Sequence, residues 1–199
     1  MGSVRDRPVA DAQTRRDAAV ANWPTPTLRA IFWSVEVVTL SPCDMEACLD
    51  LFEAVVDERV WLATEPPVDR REVRARWRAL LATQTGTILV AREGGRPIGL
   101  SAMVGVERPE LGMLVAEEAR GRGVGAALLR ASVAWADEAG AREIVLHVFP
   151  ANTRAVRLYR RFGFVERERL LRAYPRANGE RWDALRMTRP VHAVMARAV

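Results

Sequence analysis

The chain contains no lysine; all 30 of its basic residues are arginine. A phosphate loop of the Walker type needs its lysine, and Schiff-base or pyridoxal chemistry needs a lysine amine, so those mechanisms are excluded. Cysteine is nearly as scarce. Cys43 and Cys48 make neither a disulfide framework nor a four-ligand zinc site, and both are expected on one helix as small core residues. No run of about 18 apolar residues exists, which excludes a helical membrane span. The first thirty residues interleave Arg5, Arg7, Arg15 and Arg16 with Asp6, Asp11 and Asp17 and lack the apolar stretch of a secretory signal. A cytoplasmic protein is therefore expected.

What remains is a chain of 199 residues, 49% hydrophobic and 28% charged, sized for one domain with a real core. The net charge of +5 is spread, because the arginines alternate with Asp and Glu rather than forming a basic block. An ordinary solvated surface is expected, with no nucleic-acid partner and no membrane, while the overall field favours small anionic ligands.

Residues 1–30 read as an arm ending in Trp23-Pro24-Thr25-Pro26-Thr27, whose prolines favour extended backbone. Trp33 to Leu40 reads as a first strand. Ser41 and Pro42 then open a helix whose apolar stripe is Met45, Leu49 and Phe52. The connection Val60 to Pro67 is too apolar for a plain solvent loop. Asp69 caps a second helix that turns Trp77, Leu80 and Leu81 inward and sets Arg70, Arg71, Arg74, Arg76 and Arg78 on a solvated face. Thr87 to Arg92, the turn Glu93-Gly94-Gly95-Arg96 and Pro97 to Val106 form a hairpin, and Glu110 to Ala116 a further strand. Residues after Pro190 read as a short tail.

The informative stretch is Arg120-Gly121-Arg122-Gly123-Val124-Gly125-Ala126. It lies between that strand and a helix with Val124, Leu128, Ala131 and Trp135 on one face, stopped by Gly140. Glycines at a helix N-terminus clear side chains from unpaired N–H groups, and the helix dipole completes a phosphate site. Arg120 and Arg122 are expected to add charged donors. The segment Gly121-x-Gly123-x-x-Ala126 also matches a dinucleotide fingerprint, but four residues separate it from its strand and the next strand ends in Phe149-Pro150 without a carboxylate. That reading fails on context.

Arg120-x-x-Gly123-x-Gly125 resembles the acyl-CoA pyrophosphate signature of the GNAT superfamily of N-acetyltransferases. Downstream, Asn152-Thr153-Arg154-Ala155-Val156-Arg157-Leu158-Tyr159-Arg160-Arg161-Phe162-Gly163-Phe164 resembles the same family's later helix. The likeness spans about residues 110 to 165, and the order of elements from 33 to 189 agrees with it. It implies an α/β fold of the α+β type: a GNAT-like mixed, mostly antiparallel sheet with splayed central strands, flanked by helices. It places an acetyl-CoA-dependent N-acetyltransferase domain at 31–189, between the arm at 1–30 and the tail at 190–199. Acetyl-CoA is the implied co-substrate, with no metal.

By the same resemblance Met113, Leu114 and Val115 offer backbone to pantetheine, residues Arg120, Gly121, Arg122, Gly123, Val124, Gly125 and Ala126 hold the pyrophosphate, and Asn152 and Ala155 contact the cofactor arm. Asn152 has an equal claim as a helix cap. Tyr159 is implied beside the thioester sulfur, where a phenol with a reference pKa of about 10 is a proton donor to the leaving thiolate. Its competing role is a core aromatic. Glu110 is the candidate base for the amine, against a plain surface carboxylate, and the Val115 N–H the candidate oxyanion donor. His147, among apolar neighbours, is expected to be structural. No cysteine lies near the motifs, so direct transfer is expected.

The family's acceptor groove would fall at Trp61 to Pro67 and at Arg172 to Asp183. Arginines with aromatics there suit a small carboxylate-bearing amine such as an amino acid, and the chain's ending also resembles amino-acid N-acetyltransferases. A peptide or protein N-terminus, a non-catalytic acyl-CoA-binding regulator and a homodimer stay open.

Overall fold

The computed structural model describes residues 35–191; the expected arm over 1–30 and all but the start of the expected tail lie outside them. The first strand, β1, is Glu36–Thr39, shorter than the expected Trp33 to Leu40, of which Trp33 and Ser34 lie outside the described residues. Ser41 does not cap a backbone amide: its hydroxyl bonds the Asp44 carboxylate, and a 3-10 turn, Pro42–Asp44, precedes helix α1 (Met45–Asp57). Cys48 is fully buried on α1 as expected, but Cys43 is exposed, because it falls on the turn rather than on the helix's inner stripe.

Asp69 caps α2 (Arg70–Thr83), accepting from the N–H groups of Arg71 at 2.9 Å and Glu72 at 3.1 Å. The arginine face of α2 is not simply solvated. Arg70 reaches Asp50 at 2.7 Å and Glu53 at 2.9 Å, and Arg74 reaches Glu46 at 2.8 Å, so acidic residues of α1 draw these guanidinium groups across the helix pair.

Strands β2 (Gly86–Glu93) and β3 (Arg96–Val104) are joined at Gly94 and Gly95, whose φ values of +57° and +81° suit a two-residue turn that twists with its strands. Then follow β4 (Glu110–Val115), a 3-10 turn (Glu117–Ala119), α3 (Val124–Glu138), β5 (Glu143–Val148), α4 (Thr153–Arg161), β6 (Val165–Pro175) and β7 (Arg181–Pro190). The sheet order is β1-β2-β3-β4-β5-β7-β6. All neighbours pair antiparallel except β4 and β5, which the α3 crossover makes parallel. Val191 is buried beside β7, its N–H donating to the Arg142 carbonyl at 2.9 Å, so the chain stays docked one residue past the strand.

Alternation along β2 builds the layers. Ile88 and Val90 pack with Met45, Leu49 and Trp77 of α1 and α2, whereas Leu89 and Ala91 pack with Val124, Leu128 and Ala131 of α3 on the opposite face. Ile144, Leu146 and Met187 meet Leu129 and Ala136 of α3 and Val156 and Tyr159 of α4 in a third cluster. Between β3 and α3, the buried Ser132 hydroxyl donates to the Leu128 carbonyl at 2.9 Å and takes up Ser101 Oγ at 2.9 Å, leaving neither hydroxyl unpaired.

Gly86 allows β2 to start under α2: a Cβ there would lie 2.0 Å from the Met103 carbonyl oxygen and 2.7 Å from Leu80 Cδ1. Backbone cannot yield as a side chain can. Gly86→Ala is expected to destabilise the fold by about 1–3 kcal/mol, read as a lower urea midpoint at unchanged slope; an unchanged midpoint would contradict this account of the position.

Candidate active site

Strands β4 and β5 pair at one position only, Glu110 opposite Val145, with the Val145 N–H donating to the Pro109 carbonyl at 3.0 Å. Beyond it they part. β4 stays on β3 as far as Val115, and β5 stays on β7 as far as Val148. The Ala116 N–H donates to Ile98 of β3 at 3.0 Å. By alternation the N–H groups of Val115 and Met113 therefore point away from β3, into the gap, and that of Leu114 points back to β3. The Val115 carbonyl accepts from Arg120 Nε at 3.1 Å, and the Val115 N–H has no partner among the described residues.

A cleft of about 1350 Å3 runs through this gap and joins the two faces of the sheet. Gly112, Met113, Leu114 and Val115 line it. On the α3 face it reaches the glycine loop, where Gly121 and Gly123 hold φ values of +79° and +86°, conformations that side chains resist. A Cβ on either would meet nothing within 4 Å. The first intrahelical bond of α3 is Ala127 N–H to Gly123 C=O, so the amides of Val124, Gly125 and Ala126 lie ahead of the helix ladder, and no side chain caps them. This arrangement fits an anionic pyrophosphate.

Of the predicted loop residues, Arg120, Gly121, Gly123, Gly125 and Ala126 line the cleft. Val124 is buried in the core beneath α3, and Arg122 pairs with Glu93. Arg120 bonds Glu58 through both Nη atoms, one at 2.7 Å, and lies 5.3 Å from the Trp61 ring centroid. Both guanidinium groups expected as anion donors are thus held by neighbouring carboxylates, Glu58 and Glu93. In return Arg120 keeps the Glu58 carboxyl below the usual range. Cations that the sequence reading passed over sit across the cleft on α4, where Arg154, Arg157 and Arg161 all line it. Their i, i+3, i+7 spacing was visible in the sequence.

Asn152 Oδ1 caps α4 by accepting from the Ala155 N–H at 3.1 Å, and Asn152 and Ala155 both line the cleft. Tyr159 is 6% exposed, packed against Phe164 at 5.8 Å, and reaches the same cleft. Its hydroxyl makes no hydrogen bond among the described residues, and burial pushes its pKa up to about 12.

The opposite face holds Trp61, Leu62, Ala63 and Thr64 of the α1–α2 connection, together with Trp77, Leu80, Ala102 and Val104. Glu110 and His147 meet there, His147 Nδ1 lying 3.2 Å from Glu110 Oε1. His147 is thus a cleft residue rather than a core one, because β5 turns Ile144, Leu146 and Val148 to the core and His147 the other way. Tyr174 stands 6.4 Å from the His147 ring; burial first and then the charge of Glu110 raise its hydroxyl's pKa. Arg76 of α2 also lines this side and forms no ion pair among the described residues. Arg176, expected to face an acceptor, is buried instead. Neither cysteine lines the cleft, and no helix among the described residues is long and apolar enough to cross a membrane.

The family model described as acetyltransferase (GNAT) matches residues 48–164. An uncharacterised N-acetyltransferase of Methanocaldococcus jannaschii is 30% identical over 105 residues. That alignment covers 47% of this chain and 46% of the relative, so the chain spans about half the length of the curated protein it matches. A GCN5-related N-acetyltransferase from Kribbella flavida superposes with a TM-score of 0.68 at 26% identity, over 78% of this chain and 97% of that one. A Salmonella typhimurium protein solved with its cofactor acetyl-CoA shares the fold, with a TM-score of 0.73 at 18% identity over 83% and 98% of the two chains.

Proposed function

Because the chain belongs to the acetyltransferase (GNAT) family, we propose that it transfers an acetyl group from acetyl-CoA to the primary amine of a small acceptor by direct attack. The observation that carries this reading is the single β4–β5 bridge. It opens one cleft to both faces of the sheet, with a glycine-loop helix on one side and a carboxylate–imidazole pair on the other. The catalytic domain occupies residues 31–189 in this reading.

Acetyl-CoA supplies the activated thioester. The amides of residues 123–126 hold its pyrophosphate, with Arg154, Arg157 and Arg161 adding positive field across the cleft. The N–H groups of Met113 and Val115 pair with the pantetheine amides, and that of Val115 lies at the strand end where a developing oxyanion can be met. Tyr159 stands beside the sulfur. With its Nδ1–H donating to Glu110, His147 keeps Nε2 as an acceptor, so the pair can take the ammonium proton and pass it outward through Glu110, whose side chain is 61% exposed. Absence of a cleft cysteine supports attack by the amine itself.

The acceptor side supports an α-amino acid with an apolar side chain. Glu110 meets the amine, Arg76 meets the carboxylate, and Trp77, Leu80, Ala102 and Val104 form the wall between them. Release of CoA thiol from acetyl-CoA, followed against free amino acids, short peptides and polyamines, tests this. Turnover with L-leucine or L-phenylalanine is expected; turnover with peptides or polyamines alone would contradict the amino-acid assignment. Silence across the panel with acetyl-CoA bound would contradict the transferase itself. Arg76→Ala is expected to raise the amino-acid KM by about 10- to 150-fold, the equivalent of one lost charged hydrogen bond. Its effect on an uncharged primary amine should be small, and an equal loss with both acceptors would remove Arg76 from this role.

A further inference from the structure

The β6–β7 hairpin and the α1–α2 connection are remote in sequence, yet one side chain ties them together. Arg176 is a buried cation: its side chain is only 3% exposed. Its Nη1 donates to the Leu62 carbonyl at 2.9 Å, its Nη2 donates to the Arg59 carbonyl at 2.7 Å, and its Nε lies 2.5 Å from Glu65 Oε1. Its guanidinium carbon is 4.2 Å from the centroid of the Trp182 ring and 5.7 Å from that of Phe149. Its own turn is closed by the Arg176 N–H donating to Glu180 at 2.9 Å and the Gly179 N–H donating to Arg176 at 3.0 Å.

Burying a guanidinium is costly unless it is paired, and here two carbonyl hydrogen bonds, the ion pair with Glu65 and two aromatic faces offset the cost. A fork of five donors fixes distance and direction together, which a single point charge does not. The segment it holds, Arg59 to Glu65, includes Trp61, Leu62, Ala63 and Thr64, all of which line the acceptor side of the cleft.

We propose that Arg176 is a positioning residue for acceptor specificity: it clamps the α1–α2 connection onto the β6–β7 hairpin, so that the acceptor wall is set without contact between Arg176 and the acceptor. Holding such a wall matters because small misplacements near a reacting centre cost large factors in rate. The proposal rests on the transferase reading for its kinetic consequence, but the clamp itself is observable without it.

Two variants of the full chain, Arg176→Met and Glu65→Gln, test it by three readouts. Hydrogen exchange is expected to rise in 58–68 and 174–182 of Arg176→Met and to stay unchanged in the glycine loop. Its kcat/KM for L-leucine is expected to fall by about 10- to 100-fold, mainly through KM, with acetyl-CoA affinity unchanged. Preference among the amino acids of the panel should narrow. Glu65→Gln keeps both carbonyl bonds of Arg176 and should show the same pattern at smaller amplitude, which preserves the test if Arg176→Met does not fold. Faster exchange with unaltered acceptor kinetics would overturn the positioning role, as would equal losses for acetyl-CoA and acceptor. Unchanged exchange would overturn the clamp. A wild-type protein silent with every acceptor, with Arg176→Met still showing the exchange response, would leave the clamp standing and contradict the transferase reading instead.

Discussion

Replacing Tyr159 by Phe is expected to lower kcat by about 10- to 150-fold, while acetyl-CoA still binds to within about twofold of wild type. The size follows from what burial does to the phenol. A free phenol of pKa about 10 is already a weaker acid than a thiol of about 8.5, so giving its proton outright to a thiolate runs uphill. Burial pushes the Tyr159 pKa up to about 12 and makes that transfer harder still. The role that remains is a hydrogen bond to charge developing on sulfur, and the estimate is the loss of one such charged bond. Complete proton transfer would allow a larger loss, up to about 10,000-fold. Single-turnover kinetics distinguish the two by magnitude, and an unchanged kcat would remove Tyr159 from the chemistry.

The same shift fixes a pH expectation. Tyr159 stays protonated to about pH 12, so it imposes no falling limb on the rate through pH 10. For stability the sign runs the same way. A group whose pKa is raised on folding stabilises the fold fully below its unfolded value of about 10 and loses that contribution as pH climbs through the folded value. The Phe variant should therefore lose less stability than wild type between pH 10 and 12.

Gly125→Leu is expected to raise the KM for acetyl-CoA by about 5- to 150-fold, the factor corresponding to 1–3 kcal/mol of crowding against the bound cofactor. A Cβ at Gly125 would stand 3.2 Å from Leu158, 3.7 Å from Met113 and 3.9 Å from Val115, where β4, α3 and α4 meet the cleft. Ala would press only on the flexible end of Leu158. Leu extends further, into the space between the glycine loop and α4. Because Leu favours a helix over Gly by about 0.8–1 kcal/mol, global stability should not fall in parallel. An unchanged KM would mean that acetyl-CoA passes elsewhere.

Much of this arrangement was legible in the sequence, and for local reasons. Asp69 and Asn152 declare helix starts by side-chain chemistry, and the Gly94-Gly95 hairpin by backbone freedom. The glycine loop and the helix that carries Tyr159 resemble the family's motifs in residue type and in order along the chain. What the sequence left unread depends on contacts between distant segments. Arg120 meets Glu58 across 62 positions and Arg176 meets Arg59 across 117, and nothing local shows which carboxylate or carbonyl a guanidinium will find. His147 was misplaced differently. Its neighbours Leu146 and Val148 are apolar, but a period of two sets them on the other face of the sheet. Cys43 fell one turn short of the helix that was expected to bury it.

The most direct test is an initial-velocity study of the wild-type chain, varying acetyl-CoA against L-leucine and following CoA-thiol release. Direct attack requires both substrates to be bound together in the cleft, so intersecting lines are predicted, with no acetylated protein detected by mass spectrometry. Parallel lines accompanied by an acetyl-enzyme would contradict direct attack, and absence of thiol release with every amine, while acetyl-CoA binds, would contradict the transferase.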